Sequence, residues 1–198
     1  MKKLFALAIV AALMMVIGCS KESPMSNTPP SINESSEPMH FGSGFPKVVG
    51  TYKVVIENIT PNNGSGASQP FSPPILATHL PRFHIFRDGK QASYELGRIA
   101  EDAESKPLVD LLNGSRRVHD VVMGDGVILP GGSTELMIEA RLPLNKLSIV
   151  GMLVNTNDGF VGANGIYLPK FGSRTYFLNA YDAGTEKNTE MTDHIPGP

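Results

Sequence analysis

Several residue types that mark common classes of protein are rare or absent in this sequence. It contains no tryptophan, aromatic residues make up 7% of the chain, and there is a single cysteine. The absence of tryptophan disfavours an aromatic surface that stacks on sugar rings. A single cysteine excludes a disulfide within the chain, so packing has to hold the fold together. The formal net charge of −2 gives no reason to expect a nucleic-acid partner.

The sequence also lacks the motifs of several enzyme classes. It has no Gly-x-Ser-x-Gly, no His-Glu-x-x-His and no phosphate-binding glycine loop with its lysine. His79 and His84 are five residues apart with Pro81 between them, so they would not share one face of a helix. The sequence therefore predicts a protein that is not an enzyme. A catalytic site of unrecognised type is the alternative.

Residues 1–19 have the features of a bacterial lipoprotein signal peptide. A short basic start precedes the apolar residues 4–17, a stretch that is short for a bilayer span, and Val16-Ile17-Gly18-Cys19 matches a lipobox. Cys19 is therefore predicted to carry the lipid anchor after cleavage, and several acyl chains on one cysteine hold a protein stably in a membrane. An ordinary signal peptide with an incidental cysteine is the alternative. Ser20, rather than aspartate, follows the cysteine, which predicts the outer membrane if the cell has two membranes.

The rest of the chain divides into a tether, one domain and a tail. Residues 20–46 are rich in Ser, Pro, Asn and Glu and poor in large apolar residues, which is typical of a flexible linker. Residues 47–192 are long enough for one domain with a proper core, and residues 193–198 form a C-terminal tail. No internal repeat and no second domain boundary is visible.

The predicted domain consists mostly of short strands separated by turns rich in glycine and proline. Two short helices, at residues 93–101 and 108–112, interrupt the series of strands. This pattern predicts an all-β fold, an antiparallel β-sandwich with a short helical insert. Strands are predicted at residues 51–59, 76–80, 83–86, 118–123, 135–140, 147–154 and 174–178.

Two acidic loops near the C-terminus are the most informative feature of the domain. Residues 155–162 and 179–186 each follow a predicted strand, and each combines carboxylates and amides with glycine. If both loops lie at one end of a sandwich, Asp158, Asp182 and Glu186 would converge. Calcium prefers such clusters of carboxylate and carbonyl oxygens. The alternative is that Asn, Asp and Gly simply form turns, since they tolerate left-handed backbone geometry.

Five segments carry a family resemblance: residues 54–60, 69–74, the helix with Glu101-Asp102, 156–162 and 181–186. Together they resemble a spondin N-terminal domain of the F-spondin and mindin type, from about residue 52 to about residue 190. The resemblance implies a C2-like β-sandwich that binds calcium through loops at one end and mediates adhesion or ligand contacts. This chain departs from the animal pattern in its lipobox and in Gly159, where the animal domains carry tryptophan.

The resemblance also implies a set of calcium ligands. Asp158 and Asp182 match acidic loop positions of the family, and Glu139 falls at the position of an acidic residue in the animal domains. Glu186 is a fourth candidate, from the same loop as Asp182. The alternatives are a solvent-facing strand carboxylate for Glu139 and a solvated loop charge for Glu186.

The expected protein is thus a lipid-anchored, extracytoplasmic module of the bacterial cell envelope. We expect it to bind Ca²⁺ and an envelope or extracellular protein or glycan, with the membrane as a second partner through Cys19. A different class of function is the alternative, a purely structural lipoprotein that packs against other envelope proteins and binds no metal and no small ligand.

Overall fold

The computed structural model describes residues 48–64, 67–143 and 145–187. The predicted signal peptide with Cys19, the predicted tether and the predicted tail lie outside these residues. No helix in the described ranges is long and apolar enough to cross a membrane. The elements, in chain order, are β1 Val48–Glu57, β2 Ile75–His79, α1 Tyr94–Asp102, α2 Lys106–Asn113, β3 Val118–Met123, β4 Ser133–Leu142, β5 Lys146–Met152, β6 Gly159–Tyr167 and β7 Asn179–Asp182.

The strands form two antiparallel sheets, which confirms the predicted β-sandwich. One sheet has the order β1-β4, and the other has the order β3-β2-β5-β6-β7. β1 and β4 pair along their whole length, from Val48 opposite Leu142 to Glu57 opposite Ser133. A core of buried aliphatic residues, including Ile56, Ile138 and Leu147, fills the space between the sheets.

β5 is the central strand of the larger sheet, and all seven of its residues are buried. Successive side chains of a strand point to opposite faces, so β5 supplies two cores. Leu147 and Ile149 face the sheet formed by β1 and β4. Val150 and Met152 face the two helices, which cover the other side of the larger sheet.

Both helices follow the boundaries that their sequence predicts to within about two residues. The hydroxyl of Ser93 accepts a hydrogen bond from the Leu96 N–H and so caps the start of α1. Ala103 has left-handed geometry with φ of 56° and ends α1. The apolar faces of α1 and α2 carry Leu96 and Leu108 into the core on the larger sheet.

Three segments differ from the predicted elements. Residues 83–86 and 174–178 are not strands, and residues 159–162, predicted as loop, begin the buried strand β6. The sequence of β6 does not predict a strand, because glycines stand where branched and aromatic residues are typical of strands. Glycine fits closely at position 162, since a Cβ there would approach the Phe86 ring at 3.1 Å and the Ile149 carbonyl oxygen at 3.2 Å, and these neighbours would have to shift.

Candidate functional site

The order of the last three strands brings two acidic loops to the same end of the larger sheet. β5 and β7 are both antiparallel to β6, so they run in the same direction. The loop after β5, residues 153–158, and the loop after β7, residues 183–187, are therefore neighbours. We call them the first and second acidic loops. The second begins after the short strand β7 and not after residues 174–178 as the sequence predicts.

Asp158 and Asp182 lie next to each other where these loops meet the sheet. Gly159, the residue after Asp158, is opposite Asp182 in the β6–β7 pair. The Ala183 N–H donates a hydrogen bond of 3.0 Å to the Asp158 carbonyl oxygen. Because Cα atoms of paired residues are about 5 Å apart, the two aspartates are close neighbours. The structure thus brings the two loops together at one end of the sheet, as the sequence predicts.

The Asp158 carboxylate is buried and holds the second acidic loop in place. Its residue is 2% exposed. Its Oδ2 accepts hydrogen bonds from the Thr185 N–H at 3.0 Å, the Glu186 N–H at 3.1 Å and the Thr185 hydroxyl at 3.4 Å. Hydrogen bonds to a charged acceptor are stronger than neutral ones, so this carboxylate replaces its lost hydration with protein donors.

Asp182, the last residue of β7, and Glu186, on the second acidic loop, are both exposed. Oδ1 of Asp182 accepts a hydrogen bond of 2.6 Å from the Gly184 N–H, which forms a tight turn. Gly184 has φ of 68°, a left-handed conformation that favours glycine. Glu186 is tied to Asp158 through its backbone N–H, so all three predicted acidic residues of the two loops lie in one region.

Glu139 lies at the opposite end of the molecule and is not part of this region. It pairs with Thr51 in the β1–β4 sheet, and its carbonyl oxygen accepts a hydrogen bond from the Thr78 hydroxyl at 2.6 Å. Thr78 is opposite Leu147 near the start of β5, whereas Asp158 follows the end of β5. Five residues of strand separate Leu147 from Met152, or about 17 Å. The expectation that Glu139 adjoins the two aspartates is therefore wrong.

The donor set of the loops falls short of a preformed metal site. In the part of the chain that the structure describes, no group of three His, Cys, Asp or Glu side chains is placed to hold a metal ion. The loops offer the buried Asp158 carboxylate, whose Oδ2 already accepts three hydrogen bonds, and the exposed Asp182 carboxylate, whose Oδ1 accepts one. Two carboxylates with neighbouring carbonyl oxygens fit only part of a calcium shell, which needs six to eight oxygens.

An open cleft of about 270 Å³ lies between the ends of β6 and β7 and the first acidic loop. Thr156 shapes its wall, because its hydroxyl donates to the Leu153 carbonyl oxygen at 2.6 Å and accepts from the Gly159 N–H at 2.9 Å. A Cβ on residue 159 would meet the Thr156 hydroxyl oxygen at 2.5 Å, so this turn requires glycine there. The lining residues are Leu153, Thr156, Asn157, Asp158, Gly159, Ala180, Tyr181 and Asp182.

Three aromatic rings pack together beside the acidic loops, on the strands and the segment next to them. The Phe160 ring stacks on the Tyr181 ring at 5.3 Å between centroids, and the Phe86 ring lies 5.1 Å from Phe160 and 4.8 Å from Tyr181. This cluster was not among the residues predicted from the sequence. Its signal in the sequence is the aromatic residue close to each aspartate, Phe160 after Asp158 and Tyr181 before Asp182.

A second polar cluster is enclosed between β2, β5 and β6. Nε2 of His79 lies 2.7 Å from the Ser148 hydroxyl, and Nδ1 lies 2.9 Å from the Leu80 carbonyl oxygen. The Ser148 hydroxyl also lies 3.0 Å from Oδ1 of Asn164. His79 and Ser148 are both fully buried. This serine–histidine pair is therefore sealed from any substrate, and its hydrogen bonds satisfy polar groups inside the core.

Because His79 is buried, we expect the domain to lose stability in mild acid. Burial lowers the pKa of His79. The hydrogen bond to the Leu80 carbonyl oxygen raises this pKa in part, and the nearby His84 and Lys146 lower it further. The unfolded chain then binds a proton more readily than the folded one. The free energy of unfolding has its full value above the pKa of about 6.5 that His79 has in the unfolded chain. It falls as the pH drops from there towards the lower pKa of His79 in the folded protein.

Urea unfolding from about pH 8 to about pH 5 measures this effect. His79→Gln should be less stable than the unaltered protein at high pH but should lose less stability on acidification. The difference between the two curves isolates His79 from carboxylates that titrate in the same range. Parallel curves would contradict the assignment of the acid sensitivity to His79.

Comparison with protein families gives a match to the family described as Spondin_N over residues 57–195, more than half of the chain. The match includes both acidic loops, the aromatic cluster beneath them and the helical insert. Comparison with curated proteins gives no significant match.

Proposed function

Because the chain belongs to the spondin N-terminal domain family, whose domains are extracellular ligand-binding and adhesion modules, we propose that it is a lipid-anchored binding module of the bacterial cell envelope. Its ligand is an extracytoplasmic protein or glycan, and nucleic acid is not a partner. The observation that supports this proposal best is the convergence of the two acidic loops beside an open cleft. Loops carried on a rigid sheet are a common location for binding sites.

The proposed anchor is the lipidated Cys19. It is supported by the lipobox Val16-Ile17-Gly18-Cys19 and by the linker-like composition of residues 20–46. Ser20 after the cysteine favours the outer membrane in a cell with two membranes. The anchor would keep the module close to the membrane while the tether allows it to reach a ligand.

We further propose that the acidic loops bind Ca²⁺. Asp158, Asp182 and Glu186 would hold the ion, with backbone carbonyl oxygens and water completing its shell. The support is the adjacency of the two aspartates and the backbone contact between Asp158 and Glu186. A divalent cation bound by the two aspartates would draw the exposed Glu186 carboxylate towards them as a further oxygen ligand. Glu139 is not included, since it lies at the other end of the sheet.

Thermal unfolding in calcium and in chelator tests this proposal. A ligand present at about 100 times its dissociation constant stabilises the folded state by about 2.7 kcal/mol, so Tm should rise by several degrees. Asp182→Asn should abolish the rise and leave the curve in chelator almost unchanged, because Asp182 is exposed. Asp110→Asn is the matched control, an exposed aspartate on α2 that pairs with Lys106. Identical curves for the unaltered protein would contradict calcium binding and favour a structural lipoprotein without metal.

We propose that the module binds and does not catalyse. The support is that the contact between His79 and Ser148, which resembles part of a serine hydrolase site, is completely buried. A nucleophile must be reachable by its substrate, and neither side chain is exposed at the cleft beside Asp158.

A further inference from the structure

The loop between β6 and β7 ends in an exposed tip that has no packing role in the fold. Residues 170–175 are all exposed, and Phe171 is 93% exposed. Lys170 and Arg174 flank the phenylalanine, and residues 168–178 contain no acidic side chain. The tip therefore presents one large apolar ring between two positive charges.

The base of this loop is fixed to the sandwich. The Tyr176 hydroxyl donates a hydrogen bond of 2.7 Å to the Tyr167 carbonyl oxygen, which closes the loop at its neck. The Tyr52 hydroxyl donates a hydrogen bond of 2.8 Å to the Pro169 carbonyl oxygen and so ties the loop to β1. The Arg174 guanidinium lies 5.1 Å from the centre of the Tyr176 ring. The tip is thus held out from the domain by a supported base.

The tip lies at the end of the sandwich where the chain enters from the predicted tether. Val48, the first residue of β1, is opposite Leu142, and only three residues connect Leu142 to Lys146. Lys146 is opposite Tyr167, the last residue of β6 before the loop. Val48 and Val49 are also about half exposed. The entry of the tether and the apolar tip are therefore on one side of the molecule, and the acidic loops are on the other.

We propose that the tip formed by Lys170, Phe171 and Arg174 is a membrane-contact site that inserts into the surface of an anionic phospholipid bilayer. The occupant follows from chemistry and position. A basic side chain near an anionic bilayer contributes a favourable attraction, and an aromatic ring gains by burial at the boundary between headgroups and acyl chains. Each contact alone is weak, but an anchored chain meets the bilayer at high effective concentration. The inference rests on the proposed lipid anchor at Cys19.

A single tryptophan at the tip tests the inference in the complete lipidated protein. Because the chain has no tryptophan, Phe171→Trp introduces the only indole fluorophore. After reconstitution into vesicles of phosphatidylcholine and phosphatidylglycerol, its emission should shift to shorter wavelength and be quenched by brominated phospholipids. Lys170→Glu combined with Arg174→Glu in the same background should remove most of the quenching. Vesicles of phosphatidylcholine alone should do the same.

The matched control is Tyr94→Trp, at an exposed residue on α1. Tyr94 is 72% exposed and close to Ala92, whose N–H donates to the Ala183 carbonyl oxygen of the second acidic loop. It therefore lies at the opposite end of the molecule and should show no quenching. Equal quenching at the two positions, or none at either, would overturn the membrane-contact site. A blue shift at residue 171 without quenching would also overturn it, since that result indicates contact with protein.

Failure of the anchor gives a different result from failure of the tip. Cys19→Ser should move the protein out of the vesicle fraction if the anchor is lipid on that cysteine. Full recovery of Cys19→Ser with the vesicles would contradict the anchor and leave the tip to be judged by quenching alone. Vesicle-bound, normally lipidated protein in which Phe171→Trp is not quenched would contradict the tip while the anchor stands.

Discussion

Replacing Asp158 with alanine is expected to lower the free energy of unfolding by about 2–4 kcal/mol, because a hydrogen bond to a charged group contributes about 1.5–3 kcal/mol and this carboxylate accepts several. The carboxylate is almost completely buried and accepts two backbone N–H bonds and one hydroxyl bond from the second acidic loop. Its removal leaves the N–H groups of Thr185 and Glu186 without their partner. The loss concerns the fold itself and should appear in the presence of chelator.

Urea unfolding in chelator measures this loss against two related variants. Asp158→Asn keeps one acceptor oxygen and should fall between the unaltered protein and the alanine variant. Asp182→Ala is the control, because that residue is exposed and its carboxylate accepts a bond from the nearby Gly184 N–H in a local turn; its cost should be below about 1 kcal/mol. Equal and small losses at positions 158 and 182 would show that the buried hydrogen bonds contribute little.

Phe160→Ala is expected to destabilise the domain by about 3–5 kcal/mol, the usual range for deleting a buried aromatic ring. Phe160 is 2% exposed and contacts the rings of Phe86 and Tyr181. β7 is only four residues long and, among the described strands, pairs with β6 alone, so its attachment depends strongly on the Tyr181 ring. The variant should therefore loosen β7 and the second acidic loop in addition to lowering global stability.

Hydrogen exchange combined with urea unfolding separates these two effects. In Phe160→Ala the amides of Ala183 and Thr185 should exchange faster than the global loss of stability accounts for. Phe171→Ala is the control of the same chemical type, because its exposed ring makes no contribution to the core and its removal should leave both measurements unchanged. Uniform acceleration across the domain would show that the aromatic cluster supports the whole sheet and not β7 in particular.

Periodicity in the sequence was enough to find most of the fold. β3 matches its predicted bounds, and α1, β4 and β5 are found to within about two residues at most ends. The strand β6 was not predicted because Gly159, Gly162 and Gly165 interrupt its apolar pattern. The reason for glycine at positions 159 and 162 is the close packing of neighbouring atoms, which only the structure shows. Residues 174–178 have the composition of a strand, but no described neighbour pairs with them before β7 begins at Asn179.

The candidate site was predictable in part for a similar reason. Two strands that run in the same direction end at the same edge of a sheet, so the loops that follow them are neighbours. An aspartate near each of these loops was therefore enough to predict an acidic region there. Sequence does not specify which sheet a strand joins, so the position of Glu139 on β4 could not be predicted. It also does not specify burial, and burial distinguishes Asp158, which holds a loop through its hydrogen bonds, from the exposed Asp182.

The pairing of β1 with β4 also determines how the domain would resist mechanical force. A protein held at the membrane through the residues before Val48, and bound to a ligand beside Asp158, is pulled along the strand direction from its two opposite ends. β1 pairs with β4 in ten register positions between Val48 and Glu57. Force along β1 acts on the hydrogen bonds of this ladder together in shear, whereas force across the strand would break them one after another. With the proposed anchor and ligand site, the β1–β4 ladder is therefore loaded in the direction in which it resists force best.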